Sequence, residues 1–384
     1  MAAGAPPAPP QGKPLPVTRF ALTELTLSHF RSHKQARIEA TDRPIAIYGA
    51  NGAGKTNILE AISLLSPGRG LRRAKTAELV RQPDALGWKI AAEFSEAGEK
   101  RELETRFEGE GSRLVFVDEK PASQIALGRV LRVVWLVPVM DRLWVEGAEG
   151  RRRFLDRLTL SFEPKHAELA TQYDRAMRER NKMLKDGIGD PAWYRAVEDR
   201  MAIAGADLTQ NRLQTIVAIH KAQEGADTEF PFAELSLIGK DMKEILTSAD
   251  DLREALENSR GACLSAGRSL VGPHRDDLHA IYQAKNLAAA QCSTGEQKAL
   301  LVSLILSNAR ALSNEFSSTP IILLDEVGAH LDADRRAALY DEICALGAQA
   351  WMTATDFELY DALGDRADYL KVSDRGGESI IERP

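Results

Sequence analysis

Cysteine is scarce in this chain: three residues in 384, Cys263, Cys292 and Cys344, far apart and with no CxxC pair. That spacing excludes a disulfide framework and a cysteine zinc site, and it suits a reducing, cytoplasmic setting. No stretch approaches the roughly 18 consecutive apolar residues that a membrane span needs. The first 16 residues hold six prolines and no apolar segment, which excludes a signal peptide and predicts a flexible, extended tail over 1–19. An excess of positive charge is also missing: 50 Lys and Arg against 56 Asp and Glu leave a net charge of −6. A uniformly basic protein is thereby excluded. Any nucleic-acid face must be local, or assembled by oligomerisation, because phosphate neutralisation needs clustered cations. No internal repeat is present, and heptads are too few for a long coiled coil. What remains, 44% hydrophobic and 28% charged, is ordinary globular composition.

The order of elements is legible from periodicity. Residues 21–48 read as strands, the last being the apolar run Pro44–Tyr48 that stops at Gly49. A helix is expected from Lys55, with Ile58, Ile62 and Leu65 on one face and Pro67-Gly68 as its stop. Between 88 and 137 the period changes to two, predicting an antiparallel β region, with Val130–Val137 as a central strand. Residues 151–260 have a helical texture of three or four helices, with Val197, Met201, Ala204 and Leu208 as one seam and breaks at Gly187–Pro191 and Pro231. A strand near Leu278–Tyr282, a helix over Gly295–Leu312 and the strand Ile321–Leu324 lead into a final α/β stretch. The expected organisation is one α/β domain in two halves, 20–145 and 263–384, flanking a helical insertion over 146–262.

Three motifs carry chemistry. Gly49, Ala50, Asn51, Gly52, Ala53, Gly54, Lys55 and Thr56 satisfy every fixed position of GxxxxGK(S/T), between an expected strand and an expected helix. The glycines let backbone N–H groups curl around a phosphate. Lys55 supplies charge to the β- and γ-phosphates, and the Thr56 hydroxyl faces Mg²⁺. The strand Ile321–Leu324 delivers Asp325 and Glu326 to its C-terminal end, where ligands of α/β sheets bind. Asp325 is placed to hold Mg²⁺ and Glu326 to polarise an attacking water as the catalytic residue. Ser293, Thr294, Gly295 and Glu296 open an apolar helix; Ser293 and Glu296 read equally as a capping box or, with the flexible Gly295, as an anion site. Between a P-loop and an Asp-Glu strand end, that segment resembles the signature motif of ABC-type ATPases, and His330-Leu331-Asp332 resembles their D-loop.

At this point the chain resembles the RecF family of bacterial DNA replication and repair proteins. The resemblance rests on GANGAGKTNI (Gly49–Ile58, with Asn57 joining the nucleotide-binding set), VGPHRDDL (Val271–Leu278), STGEQK (Ser293–Lys298), LLDEVGAHLD (Leu323–Asp332), the RRRFLD stretch Arg151–Asp156 and the pair Phe30-Arg31. It implies an ABC-type P-loop ATPase head, a mixed sheet flanked by an antiparallel β region, with an inserted helical arm. It also implies slow, DNA-stimulated ATP hydrolysis, and an ATP- and Mg²⁺-dependent homodimer on double-stranded DNA at gaps and stalled forks. Work with RecR and RecO in loading RecA, and in SOS induction, is implied with it. Two copies would sandwich each nucleotide between one P-loop and the other's signature helix, with Asp332 in the D-loop. The alternative is a transport-type ATPase subunit. Three positions differ from the expected patterns: Pro138-Val139-Met140-Asp141 replaces Pro-Glu-Asp, no glutamine loop is evident, and the switch region reads Met352–Asp356, offering Thr353 or Thr355 instead of histidine.

For DNA, two basic runs are candidates: Arg69, Arg72, Arg73, Lys75 and Arg81 after the P-loop helix, and Arg151, Arg152, Arg153 and Arg157 at the base of the insertion. Each reads equally as a solvated or salt-bridged face. His274 and Arg275 either touch phosphate or brace the insertion, with Arg275 expected to pair with Asp276 or Asp277.

Overall fold

The apolar run after Pro44 becomes a strand of a sheet buried on both faces, with successive residues entering two different cores. In the computed structural model, residues 20–384 are described, except 84, 97, 240, 242 and 243; the expected tail over 1–19 lies outside the described residues. In chain order the elements begin β1 (Phe20–Phe30), β2 (His33–Glu39), β3 (Ile45–Tyr48), α1 (Lys55–Ser63), β4 (Trp88–Glu96), β5 (Glu99–Phe107), β6 (Leu114–Val117) and β7 (Lys120–Ala122). They continue with α2 (Gln124–Val130), β8 (Val133–Leu136), α3 (Ala148–Phe162), α4 (His166–Lys185), α5 (Pro191–Glu224), β9 (Ala233–Ile238), α6 (Ala249–Asn258) and α7 (Arg260–Ala266). The last are β10 (Asp277–Tyr282), β11 (Leu287–Ala288), α8 (Thr294–Phe316), β12 (Ile321–Asp325), α9 (Ala333–Leu346), β13 (Ala350–Ala354), β14 (Asp368–Arg375) and β15 (Glu378–Glu382).

The central sheet runs β15-β14-β3-β13-β12-β8, parallel except for β15. Ile45, Ile47, Val133, Trp135, Ile321, Leu323 and Trp351 face one core, shared with α1 and the antiparallel sheet β2-β1-β4-β5-β6-β7. Ala46, Val134, Leu136, Ile322, Leu324, Ala350 and Met352 face the other, under α8 and α9. A sheet covered on both sides must be apolar at every position, which is how its strands read. The antiparallel region expected over 88–137 is present as β4 to β7, but it ends at Ala122. There Ser123 caps α2 by accepting a hydrogen bond from Ala126 N.

Two expectations need correction. Val130–Val137 is not a central strand: β8 occupies only Val133–Leu136 and lies at the edge of the sheet. Its apolarity reflects cover on both faces, since Trp135 sits beneath the Arg157 guanidinium and Val134 packs with the α8 core. The stretch expected to have a helical texture, of three or four helices, also contains β9, which pairs with β10 in a third sheet, β11-β10-β9. Ala233, Leu235 and Leu237 point inward and alternate with exposed Glu234 and Ser236, a period of two inside a helix-rich region.

The helices α4 to α7 share a core of their own. The expected seam Val197, Met201, Ala204 and Leu208 packs there with Tyr173, Leu252 and Leu256. Helix α5, 34 residues and so about 50 Å long, extends onward to place Ile216 and Ile219 in the α8 core. Inside the helical core Arg180 and Glu198 are fully buried and paired at 2.9 Å, with Arg180 also donating to Leu256 O and Ser269 Oγ. Glu198 additionally accepts from Arg260 at 3.1 Å.

The junction between helices and sheet is built from arginines. Arg151 grips Asp277 with two hydrogen bonds of 2.7 and 2.8 Å, and Arg152 donates to Asp276 O at 2.7 Å. Arg212 makes bonds of 2.7 and 3.1 Å to Asp156 and donates to Pro273 O. Burial opposes ionisation of Asp156, but Arg212 and His166 outweigh it and hold its pKa at about 2. The expected pairing of Arg275 with Asp276 or Asp277 is therefore corrected: Asp277 takes Arg151 instead, reached from α3 across 126 residues of sequence. His274 is held by Tyr173 Oη at 2.7 Å and Ser269 O at 3.2 Å.

Glu198→Ala leaves Arg180 as a buried charge without its carboxylate. We expect a loss of roughly 3–5 kcal/mol in unfolding free energy, the usual consequence of breaking one side of a buried pair; urea titration against the parent chain measures it.

Candidate nucleotide site

The P-loop leaves β3 at Gly49 and enters α1 at Lys55, so its conformation is set by three glycines with positive φ. Two of them are also forced by space. A Cβ on Gly49 would stand 2.0 Å from Val372 O, and one on Gly54 would stand 2.1 Å from Ser379 Oγ. Lys55 is buried and its ammonium donates to Gly49 O at 2.6 Å and Ala50 O at 3.0 Å, folding back over its own loop. Burial lowers its pKa, and the nearby carboxylates of Glu326, Asp325 and Asp356 oppose that shift. A desolvated cation ringed by acceptors is poised to exchange loop carbonyls for phosphate oxygens.

The carboxylates arrive from β12, two strands from β3 with β13 between them. Thr56 Oγ1 donates to Asp325 Oδ1 at 2.8 Å, and Thr353 Oγ1, from β13, donates to the same oxygen at 2.7 Å. The backbone turns sharply after β12, with Glu326 at φ 54, and Glu326 N donates to Thr353 Oγ1 at 3.0 Å and Thr353 O at 3.2 Å. Thr355 Oγ1 donates instead to Asp356 Oδ2 at 2.7 Å. Among the described residues no group of three His, Cys, Asp or Glu could cage a metal. One hydroxyl and one carboxylate, 2.8 Å apart, are hard oxygen donors too few for a resident ion. They fit Mg²⁺ arriving on a nucleotide, whose phosphates and waters complete the shell.

The signature segment opens α8. Ser293 caps it reciprocally: Glu296 N donates to Ser293 Oγ, and Ser293 N donates to Glu296 Oε2 at 2.8 Å. Lys285 pairs with Glu296 and, with the Ser293 hydrogen bonds, holds its pKa down at about 2. The capping box is thus real, yet Ser293, Thr294 and Gly295 remain exposed, with open space around Gly295. Asp332 caps α9 by accepting from Arg335 N at 2.8 Å, at the exposed end of the expected D-loop.

The sequence profile of the RecF/RecN/SMC N terminal domain matches residues 21–372. The DNA replication and repair protein RecF of Caulobacter vibrioides is 45% identical over 377 residues, covering 93% of this chain and 97% of that protein. The chain belongs to the RecF family. The RecF of Rhizobium etli is 43% identical, covering 93% and 98%. A solved structure of the recombination mediator protein RecF with ATP, from the RecFOR pathway, is similar with a TM-score of 0.81 at 24% identity, covering 95% of this chain and 98% of that one. An Smc head domain from Pyrococcus furiosus, solved with the C-terminal domain of ScpA, gives 0.54 at 18% identity, covering 95% and 96%. The fold is that of an ABC-type, SMC-like ATPase head. The transport-type alternative falls, because the relatives are DNA replication and repair proteins; no described helix is long and apolar enough to cross a membrane.

In this RecF-family chain the basic candidates divide. Arg151 and Arg152 are spent on Asp277 and Asp276 O. Half-buried Arg157 lies over Trp135 and donates to Val133 O, Ser66 Oγ and Pro67 O, and Arg153 pairs with Glu149. Arg72 holds Asn57 Oδ1 at 2.8 Å and Glu60, and buried Arg81 donates to Ser32 O at 2.6 Å and Gly377 O at 3.0 Å. Arg69, Arg73 and Lys75 stay exposed. Arg31 of the Phe-Arg pair makes bonds of 2.9 and 2.8 Å to buried Glu60 of α1.

Sequence reasoning missed a layer that holds the P-loop from behind. Ser379 Oγ on β15 donates to Ala53 O at 2.6 Å and lies 2.6 Å from Ser32 Oγ, which accepts from Asn57 Nδ2 at 2.7 Å. His33, kept neutral by burial with its pKa pushed down to about 4, donates Nε2–H to Gly54 O. Ser32 and His33 lie more than 20 residues before their P-loop partners and Ser379 more than 300 after them, so they carry no local signal.

Lys55→Ala removes the buried ammonium. ATP binding should weaken by at least about 30-fold, the equivalent of roughly 2 kcal/mol or more for losing one side of a desolvated charge pair; calorimetric titration with ATP and Mg²⁺ reads it out.

Proposed function

We propose that this chain binds ATP with Mg²⁺ at Gly49–Asn57, and that two copies close face to face around the shared triphosphates. Ser293, Thr294 and Gly295 of each copy then reach the γ-phosphate bound by the other. Thr56 and Asp325 would hold Mg²⁺, which when bound offsets phosphate charge. Glu326 orients and deprotonates the attacking water, so that hydrolysis weakens the closed pair.

The observation that carries this reading is the distance between the two halves of the site. The P-loop follows β3, whereas the start of the signature helix α8 is tied through Lys298 to Asp141, just after β8, with β13 and β12 intervening. Three strand spacings amount to about 14 Å. A helix N-terminus on the far side of that span cannot press on a phosphate at its own P-loop, but a two-fold partner presents it there. An exposed N-terminus with a glycine and a hydroxyl is suited to an anion from outside the chain.

The DNA reading follows from the same closure. Pairing two copies duplicates the exposed Arg69, Arg73 and Lys75, concentrating positive charge on one side of a chain with net charge −6. Duplex DNA at gaps and stalled forks is the proposed partner. RecR and RecO are proposed as protein partners, in support of RecA loading and SOS induction in the cytoplasm, in keeping with the RecFOR pathway named for the solved relative. The helical segment over 146–262 is proposed to serve as the arm of each head.

Glu326→Gln should bind ATP normally and lose turnover by about 100-fold or more, the range for removing a general base, while the ATP-bound dimer outlives that of the parent chain in sedimentation runs. Unchanged turnover would take Glu326 out of the catalytic role. Ser293→Arg should leave ATP binding by the monomer intact and abolish ATP-driven association; normal association would refute the sandwich.

A further inference from the structure

The switch region differs from that of transport ATPases in having no histidine, and the structure separates its two threonines. Thr355 lies beyond the end of β13 and donates to the neighbouring Asp356. Thr353 is buried inside β13, the strand between the P-loop strand β3 and the carboxylate strand β12. We infer that Thr353 is a positioning residue for ATP hydrolysis, its hydroxyl fixing Glu326 in the turn after β12 while sharing Asp325 with Thr56; the inference rests on the function proposed above.

The hydrogen-bond directions are determined by chemistry. An ionised Asp325 only accepts, so the Thr353 O–H must point at Oδ1, 2.7 Å away. The Glu326 N–H only donates, so it takes a lone pair of the same hydroxyl, 3.0 Å away, and is shared with Thr353 O. One oxygen therefore reads both carboxylate residues and leaves no rotational choice. Its χ1 is stiff because threonine is β-branched.

The turn it holds is unusual. Glu326 has φ 54, a conformation uncommon for residues other than glycine and one that persists when its surroundings hold it in place. Its carboxylate lies close enough to Lys55 for its charge to offset part of the lysine's desolvation. A small error in this orientation would misplace the water-activating carboxylate while leaving the P-loop untouched.

The test uses the purified full chain as parent, Thr353→Val and Thr353→Ser, with ATP affinity, steady-state hydrolysis on duplex DNA and thermal midpoint measured for each. The two substitutions cross over. Thr353→Val keeps the shape and removes the hydroxyl: its Tm and ATP affinity should stay near the parent values while kcat falls by about ten-fold or more, as for other small misplacements of reacting groups. Thr353→Ser keeps the hydroxyl and removes a packed methyl: Tm should drop while kcat stays near the parent value. Should Thr353→Val fail to fold, Thr353→Ala carries the same expectation for kcat. A kcat that follows Tm across the variants overturns the inference, as does loss of ATP binding in Thr353→Val or turnover equal to the parent's. A parent chain that turns over no ATP would instead remove the proposed function, a separate outcome.

Discussion

One carboxylate oxygen organises the upper edge of the central sheet. Asp325 Oδ1 accepts from Thr56 at the start of α1 and from Thr353 on β13, so the P-loop helix, the carboxylate strand and the strand between them meet at a single acceptor. Hydrogen bonds to a charged acceptor contribute more than neutral ones, about 1.5–3 kcal/mol each. The rest of β12 is apolar on both faces, so a buried carboxylate at its end is a cost unless those partners are present. Lys55, desolvated and turned onto loop carbonyls, adds the opposite charge within the same few residues. The site is therefore held in shape by its own polar atoms before any phosphate arrives, which is what electrostatic preorganisation requires.

The site is also tied mechanically to the helices. Arg113 donates to Leu64 O just after α1, and Arg157 of α3 donates to Ser66 Oγ and Pro67 O in the turn that follows. About one and a half turns earlier on α3, the adjacent Arg151 and Arg152 grip Asp277 and Asp276 O at the start of β10. Arg212 of α5 reaches Asp156 and Pro273 O. The far end of the P-loop helix is thus continuous, through directed hydrogen bonds, with the base of the helical group. A chain whose basic residues look like a nucleic-acid face uses many of them as internal fasteners. Arg69, Arg73 and Lys75 remain exposed.

Whatever depended on consecutive residues was legible in the amino-acid order. The P-loop, the Asp-Glu strand end and the capped Ser293 segment each work through neighbouring backbone atoms, so their spacing alone announces them. Periodicity likewise located β3 and β12 of the central sheet, the alternating strands β4 to β6 and the seam of α5. Long-range convergence was not legible. Ser379 and Ser32 meet across 347 positions, and Thr353 reaches Asp325 from the next strand of the sheet. Charge runs were ambiguous for a related reason: Arg151 and Arg73 look alike in sequence, and only the fold shows Asp277 in front of the first. The edge position of β8 was hidden because burial on both faces, not centrality in the sheet, sets a strand's apolarity. Strand β9 did alternate, but it was masked by the helical composition around it.

A crystal structure of the chain with Mg²⁺ and a non-cleavable ATP analogue tests the central claim most directly. The account predicts a two-fold pair in which each triphosphate lies between Lys55 of one copy and Ser293–Gly295 of the other. A triphosphate enclosed wholly within one copy, with the signature helices facing solvent, would contradict it.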